Sequence, residues 1–183
     1  MRALVYFSSS NDAKQRDMAH FFRDLPGALG ALRFDAPEIL SSDLRAVVLA
    51  KAASAYQRFR VPLFVEHGGL YIDHLNGLPG PLAKPVWEAL EGRLCGLIPE
   101  EQPRGARFVQ MICYCDGRSR VVFEGRVEGT ISQCATGEHG LHWHPVFIPA
   151  GEKRTFAEMS VEERFAVSGV GDAPSALRRH LRL

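Results

Sequence analysis

Cysteine is sparse in this sequence, and its spacing carries no redox or zinc signature. The four residues stand at 95, 113, 115 and 134, with no C-x-x-C pair, which excludes a zinc ribbon and a thioredoxin-type motif. Cys113 and Cys115 are two apart in an apolar run, so a strand there would place both on one face. They are expected to be buried and reduced. No stretch approaches the roughly 20 apolar residues of a membrane helix. The opening Met1-Arg2-Ala3-Leu4-Val5-Tyr6-Phe7 is too short for the apolar core of a signal peptide. A cytoplasmic protein without a membrane partner is therefore expected. An excess of one charge is also missing: 22 basic and 21 acidic side chains leave a net charge of +1, and nothing calls for a nucleic-acid partner. Only the C-terminal Arg178-Arg179-His180-Leu181-Arg182 is locally basic. It reads as a helix end that complements the dipole, or as a docking point for phosphate.

What is present is an ordinary globular composition, 46% hydrophobic and 23% charged over 183 residues. That length suits one domain, 1–183, with a real core and no need of disulfides. There is no internal repeat or low-complexity tract. Ala3 to Phe7 reads as a buried strand, followed by a polar turn and a helix over 12–24 with Met18, Phe21 and Phe22 in helical register. A strand is expected around Leu32 to Phe34, a helix over 43–59, and a buried strand over Val61 to Val65. The segment from Gly68 to Pro81 is dense in turn formers. A helix over 84–91 precedes two long strands, Phe108 to Tyr114 and Val121 to Ile131. Asp116-Gly117 between them is a hairpin signal. A loop over 133–144, a strand over Val146 to Ile148 and helices over 158–166 and 172–181 complete the pattern. The first of those helices opens at Ser160 with Glu163 three on, a capping-box spacing.

Three segments carry candidate chemistry. Ser9-Ser10-Asn11-Asp12-Ala13-Lys14 lies between a strand and a helix, where unpaired N–H groups and the helix dipole suit phosphate. Asn11 can donate an amide and Lys14 adds charge one turn on, although an N-cap followed by a surface lysine explains the same letters. Val65-Glu66-His67-Gly68-Gly69-Leu70 is expected at the carboxyl end of a strand, where α/β proteins gather ligands. Glu38, in Ala36-Pro37-Glu38-Ile39, is a further candidate carboxylate. The loop Gly137 to Pro145 holds three of the seven histidines. On a strand His142 and His144 would share a face and could reach one metal or phosphate; a merely polar loop is the plainer reading.

Together these segments resemble the inosine triphosphate pyrophosphatase family, which removes aberrant purine nucleoside triphosphates. Ser9 to Lys14 is similar to the family's T-x-N-x-x-K, and Pro37-Glu38 to its P-E. Val65 to Leu70, followed by Leu75-Asn76-Gly77-Leu78-Pro79-Gly80-Pro81, resembles V-E-D-[ST]-G-L and L-x-G-x-P-G. Trp143-His144-Pro145-Val146-Phe147-Ile148-Pro149 and Thr155-Phe156-Ala157-Glu158-Met159 resemble [YW]-D-P-x-F-x-P and T-x-A-E-M. The resemblance covers about residues 4 to 181. It implies a mixed α/β fold: an elongated twisted sheet with flanking helices, two lobes, and a nucleotide in the cleft between them. It also implies a homodimer, a divalent metal, and hydrolysis between the α and β phosphates to a nucleoside monophosphate and pyrophosphate.

Carried over residue by residue, the resemblance assigns substrate contacts to Ser9, Asn11, Lys14, Lys51, Trp143, His144, Arg164 and Ser168. It assigns catalysis to Glu38, Glu66 and His67, with Glu38 and His67 as metal ligands. Several positions depart from the pattern. His67 and His144 stand where the family has aspartates, and Leu141 where it has a phenylalanine expected to stack on the base. Gly169 and Val170 replace the histidine and arginine of S-H-R, and Arg164 replaces a lysine. Hard magnesium favours oxygen ligands, whereas imidazole suits manganese, cobalt or zinc. Two expectations follow. One is a hydrolase with an altered nucleotide substrate or metal. The other is a catalytically silent protein that keeps its phosphate contacts. On either, His67 and His144 are expected to reach one phosphate or metal, and the ordinary inosine substrate to be turned over weakly or not at all.

Overall fold

The computed structural model describes residues 4–183, so Ala3, the expected start of the first strand, lies outside the described residues. The fold is mixed α/β. Its strands are β1 (Val5–Ser8), β2 (Leu29–Leu32), β3 (Leu63–Ile72), β4 (Pro79–Gly80), β5 (Gly105–Cys115), β6 (Arg120–Ile131) and β7 (Phe147–Pro149). They form one seven-stranded sheet in the order β2-β1-β3-β5-β6-β7, with β4 paired to β3. The helices are α1 (Asp12–Phe21), α2 (Leu44–Phe59), α3 (Ala83–Ala89), α4 (Val161–Ala166) and α5 (Asp172–Leu181), joined by short 3-10 turns. The chain divides into two compact units. One comprises 1–67, 111–124 and 173–183, the other 68–110 and 125–172.

The first unit is built on parallel pairing. β1 lies beside β2, with Val5 opposite Leu29, and beside β3, with Phe7 opposite Phe64. Side chains alternate along β3. Phe64 stacks on Phe7 at 5.0 Å and on Phe22, just past α1, at 6.2 Å. Leu63 and Val65 turn the other way and pack on Val48, Ala52 and Ala55 of α2 and on Cys113 and Cys115 of β5. α2 earns that contact by spacing: Leu44, Val47, Val48, Ala52 and Ala55 form one buried stripe. Asp43 caps its first turn by accepting from the Arg45 amide. Cys113 and Cys115 share a face, as their spacing implies, and burial followed by the neighbouring thiol pushes Cys113 up to about 11. Cys134, by contrast, is exposed.

The second unit packs Leu70, Ile72, Phe108, Ile131, Trp143, Phe147, Phe156 and Met159 into one core. β7 runs antiparallel to β6, with Ile131 opposite Phe147. The capping box at Ser160 and Glu163 is present, and a second one, at Thr155 and Glu158, closes the turn before it.

Three expectations need correction. The second strand covers 29–32 rather than 32–34, because its register with β1 begins at Val5–Leu29. α1 stops at Phe21. β3 does not end at Val65 but continues through Gly68-Gly69 to Ile72. There the glycines are strand residues with a packing reason: a Cβ on Gly69 would lie 2.9 Å from the Tyr71 ring and 3.2 Å from the Gly80 carbonyl carbon. The loop expected over 133–144 is present: Gly140 and His142 have positive φ, and His144-Pro145-Val146 is one 3-10 turn, so His142 and His144 share no strand face.

Candidate active site

The turn after β1 is held from several directions. Asn11 is the N-cap of α1, its Oδ1 accepting from the Lys14 amide at 3.1 Å. Ser9 Oγ accepts from the Asn11 amide at 3.2 Å, and Ser10 Oγ donates to Asp35 at 3.1 Å. With Oδ1 used in the cap, the side-chain Nδ2 is the Asn11 atom available to a phosphate. Gln15, four residues after Asn11, escaped the sequence reading. Its Nε2 donates to the carbonyls of Ser9 at 3.0 Å and Leu32 at 3.3 Å, tying the turn to the neighbouring strand. A polar side chain one helical turn past the cap was the available signal.

Strand alternation then decides where the two charged residues of β3 point. Glu66 follows Phe64 toward α1, and His67 follows Val65 toward α2. Lys14, on the first turn of α1, meets Glu66 at 2.6 Å. Lys51, in the middle of α2, lies 2.6 Å from Glu38 Oε1 and 3.4 Å from His67 Nδ1. Glu38 Oε1 and His67 Nδ1 are 3.5 Å apart. Five residues from four stretches of sequence thus form one charged cluster within the first unit.

Most of this cluster is withdrawn from water. Glu66 and His67 are buried, whereas Glu38 is 43% exposed at its side chain. Burial alone would raise the Glu66 carboxyl, but Lys14 beside it, helped by His67 and Lys51, holds it below the ordinary value. Burial would likewise raise Glu38, and Lys51 overcomes that, with His67 and Lys14 adding to it. Lys51 is pushed down, first by burial and then by Lys14, against the pull of Glu38. Both carboxylates are therefore anions at neutral pH.

Both folded carboxyl values lie below the unfolded ones. The stabilisation is thus complete above about 4.5, the ordinary value, and is lost as pH falls through the lower folded values. Thermal unfolding from pH 6 to 3 should show the melting temperature dropping in the acid limb. In Glu66→Gln that drop should be shallower. Equal slopes in the two proteins would show that Glu66 does not contribute to it.

The remaining residues singled out by the sequence lie in the second unit. Trp143 is buried among Phe108 at 4.9 Å, Phe147 at 5.9 Å and Phe156 at 6.5 Å. The buried His144 ring lies 4.8 Å from Trp143 and 5.4 Å from Phe156. It sits directly over Gly140, where a Cβ would collide with it. Arg164 is buried and donates to the Met159 carbonyl at 3.1 Å, and Ser168 is exposed. Gly169 has φ +93, and a Cβ there would strike the Arg126 carbonyl oxygen. A side chain does not fit this backbone. Gly169→Ala should cost about 2 kcal/mol, in the range for a strained left-handed residue. A urea midpoint unchanged from that of the parent would contradict this.

Among the described residues no three His, Cys, Asp or Glu side chains are grouped to hold a metal by themselves. The donor set still fits a cation that arrives with its substrate. Glu38 and Glu66 are ionised oxygen donors, and magnesium is usually held by one or two carboxylates plus phosphate oxygens and water.

An α/β sheet with a capped turn after its first strand, backed by two lysines, two carboxylates and an imidazole, is an arrangement that suits a phosphate. The comparisons make that reading specific. The profile of the Ham1 family matches residues 5–180. A dITP/XTP pyrophosphatase of Methanopyrus kandleri is 34% identical over 167 residues, covering 90% of this chain and 88% of that protein. One from Pyrococcus horikoshii is 34% identical over 182 residues, covering 98% and 97%. The Staphylococcus aureus Ham1 protein superposes with a TM-score of 0.77 at 23% identity, covering 97% and 98% of the two chains, and supports the fold. The chain belongs to the Ham1 family.

Proposed function

We propose that this chain is a nucleoside triphosphate pyrophosphatase, splitting the bond between the α and β phosphates, with a base preference shifted from that of its dITP/XTP-hydrolysing relatives. The observation that carries the reaction is the charged cluster on β3. Lys14 and Lys51 are presented from two helices to one strand, where they exchange their carboxylate partners for phosphate oxygens. Asn11 Nδ2 and the α1 N-terminus receive the same group. His67 is the base for the attacking water. Carboxylates held below their ordinary value accept protons poorly, and imidazole is the side chain whose ordinary value lies near neutrality. Glu38 and Glu66 would supply oxygen donors to a divalent cation that arrives with the substrate, and the cation would neutralise phosphate charge when bound.

The shifted base preference rests on three departures from the family pattern. Leu141 cannot stack as a ring does, and Gly169 and Val170 carry no hydrogen-bonding side chain. Removing the donors that read a substrate group removes discrimination for it. A panel of nucleoside triphosphates, assayed for pyrophosphate release with magnesium and then manganese, tests this. Turnover of another nucleotide at least tenfold above inosine triphosphate is expected. Preference for inosine or xanthosine triphosphate would overturn the altered-substrate part and leave the reaction standing. Saturable binding without turnover across the panel would favour the silent phosphate-binding reading, which the loss of an aspartate at His67 motivates.

A further inference from the structure

Away from this cluster, one side of α2 and the β5–β6 hairpin border an open pocket of about 670 Å³. It lies wholly within the first unit. Its floor is apolar, from Leu49 and Ala53 on α2 and Cys115 at the end of β5. Tyr56 forms one wall, with the Arg60 guanidinium 5.8 Å from its ring. Its hydroxyl rests against Gly117, where φ is +89 and a Cβ would collide with it. Only glycine allows the hairpin tip to close in this way.

The rim is cationic. Arg118 and Arg120 line the cavity, and Arg45 stands one helical turn before Leu49 on the same stripe of α2. Among the described residues none of these three guanidinium groups forms an ion pair. Asp116, the acid of the hairpin tip, turns its Oδ1 into the turn, accepting from the Arg118 and Ser119 amides at 2.9 and 2.8 Å and from Ser119 Oγ at 3.2 Å. Exposed arginines without carboxylate partners beside a concave apolar floor match an anion with an apolar body. Guanidinium binds phosphate through paired N–H groups, and cavities of roughly 300–1,000 Å³ hold small organic ligands.

We infer that this cavity is a second, separate ligand site that takes a phosphomonoester with a flat apolar body, of the kind a nucleoside monophosphate provides. Arg118 and Arg120 hold the phosphate. Tyr56, Leu49 and Ala53 take the apolar part, and Ser119 and Gln57 are the polar groups within reach. The inference is independent of the reaction proposed above, because no residue is shared between the two sites.

Calorimetric titration with adenosine monophosphate, guanosine monophosphate and inorganic phosphate tests it on the full chain. Arg118→Ala/Arg120→Ala should weaken monophosphate binding at least tenfold, as expected for loss of charge-assisted hydrogen bonds, while Lys14→Ala leaves this site intact. Ala53→Phe fills the cavity without touching the charges. It should weaken the nucleotides and leave inorganic phosphate as in the parent. Circular dichroism melts confirm that each variant is folded. No monophosphate binding at millimolar concentration would overturn the inference. So would binding that Lys14→Ala abolishes and the arginine pair leaves unchanged.

Discussion

Replacing Lys14 with alanine is expected to lower stability by about 3 kcal/mol and to weaken triphosphate binding in the same protein. The Glu66 side chain is 6% exposed, and its nearest counter-charge is the Lys14 ammonium at 2.6 Å. Breaking a buried ion pair from one side leaves an uncompensated charge and typically costs about 3–5 kcal/mol. The lower end applies here, because Lys14 is 23% exposed and His67 and Lys51 also act on Glu66. Stability and binding can be separated by a second change. Lys14→Ala/Glu66→Gln removes the orphaned anion and should recover most of the stability in urea denaturation. Triphosphate binding, which needs the ammonium itself, should stay weak by calorimetry. A single variant as stable as the parent would contradict the pairing. A double variant that regains both properties would contradict the role of Lys14 in binding.

Changing His67 to aspartate is expected to tighten magnesium binding by about tenfold or more and to lower turnover by about 100-fold or more, the lower range for losing a general base. His67 faces α2 beside Lys51 and Glu38. A carboxylate there stands beside Glu38 and adds a hard oxygen donor, which magnesium prefers to imidazole. The same carboxylate beside Lys51 is a weaker base than an imidazole at neutral pH. Tighter metal with slower turnover supports His67 as base. Tighter metal with faster turnover would show that this chain lost catalysis when it lost the aspartate, and would favour the silent reading.

Much of the fold was legible because its signals are local. The stripe of Val47, Val48, Ala52 and Ala55 marked α2, and Ser160 with Glu163 marked the start of α4. The extension of β3 through Gly68-Gly69 was not legible. Glycine normally weakens a strand, and here the Tyr71 ring and the Gly80 backbone occupy the space a side chain would need. The ion pairs of the site were hidden for another reason. Lys14 and Glu66 are 52 positions apart, and only β1–β3 pairing with strand alternation brings them together. Glu38 looked like a solitary carboxylate until α2 placed Lys51 against it. The loop holding His142 and His144 was legible from its glycines, and the positive φ of Gly140 with the 3-10 turn at His144 leaves no strand on which the two rings could share a face. Gly169 read as a loss of function, whereas the structure adds a backbone reason for glycine.

Cleavage of nucleoside triphosphates between the α and β phosphates is proposed for the cluster of Lys14, Glu38, Lys51, Glu66 and His67. Phosphorus NMR of the chain with the best nucleotide from the panel, in magnesium and at neutral pH, tests it most directly. The expected spectrum shows nucleoside monophosphate and pyrophosphate growing at equal rates, with both signals suppressed in Lys51→Ala and His67→Ala. Diphosphate with orthophosphate as products, or equal turnover in parent and variants, would contradict it.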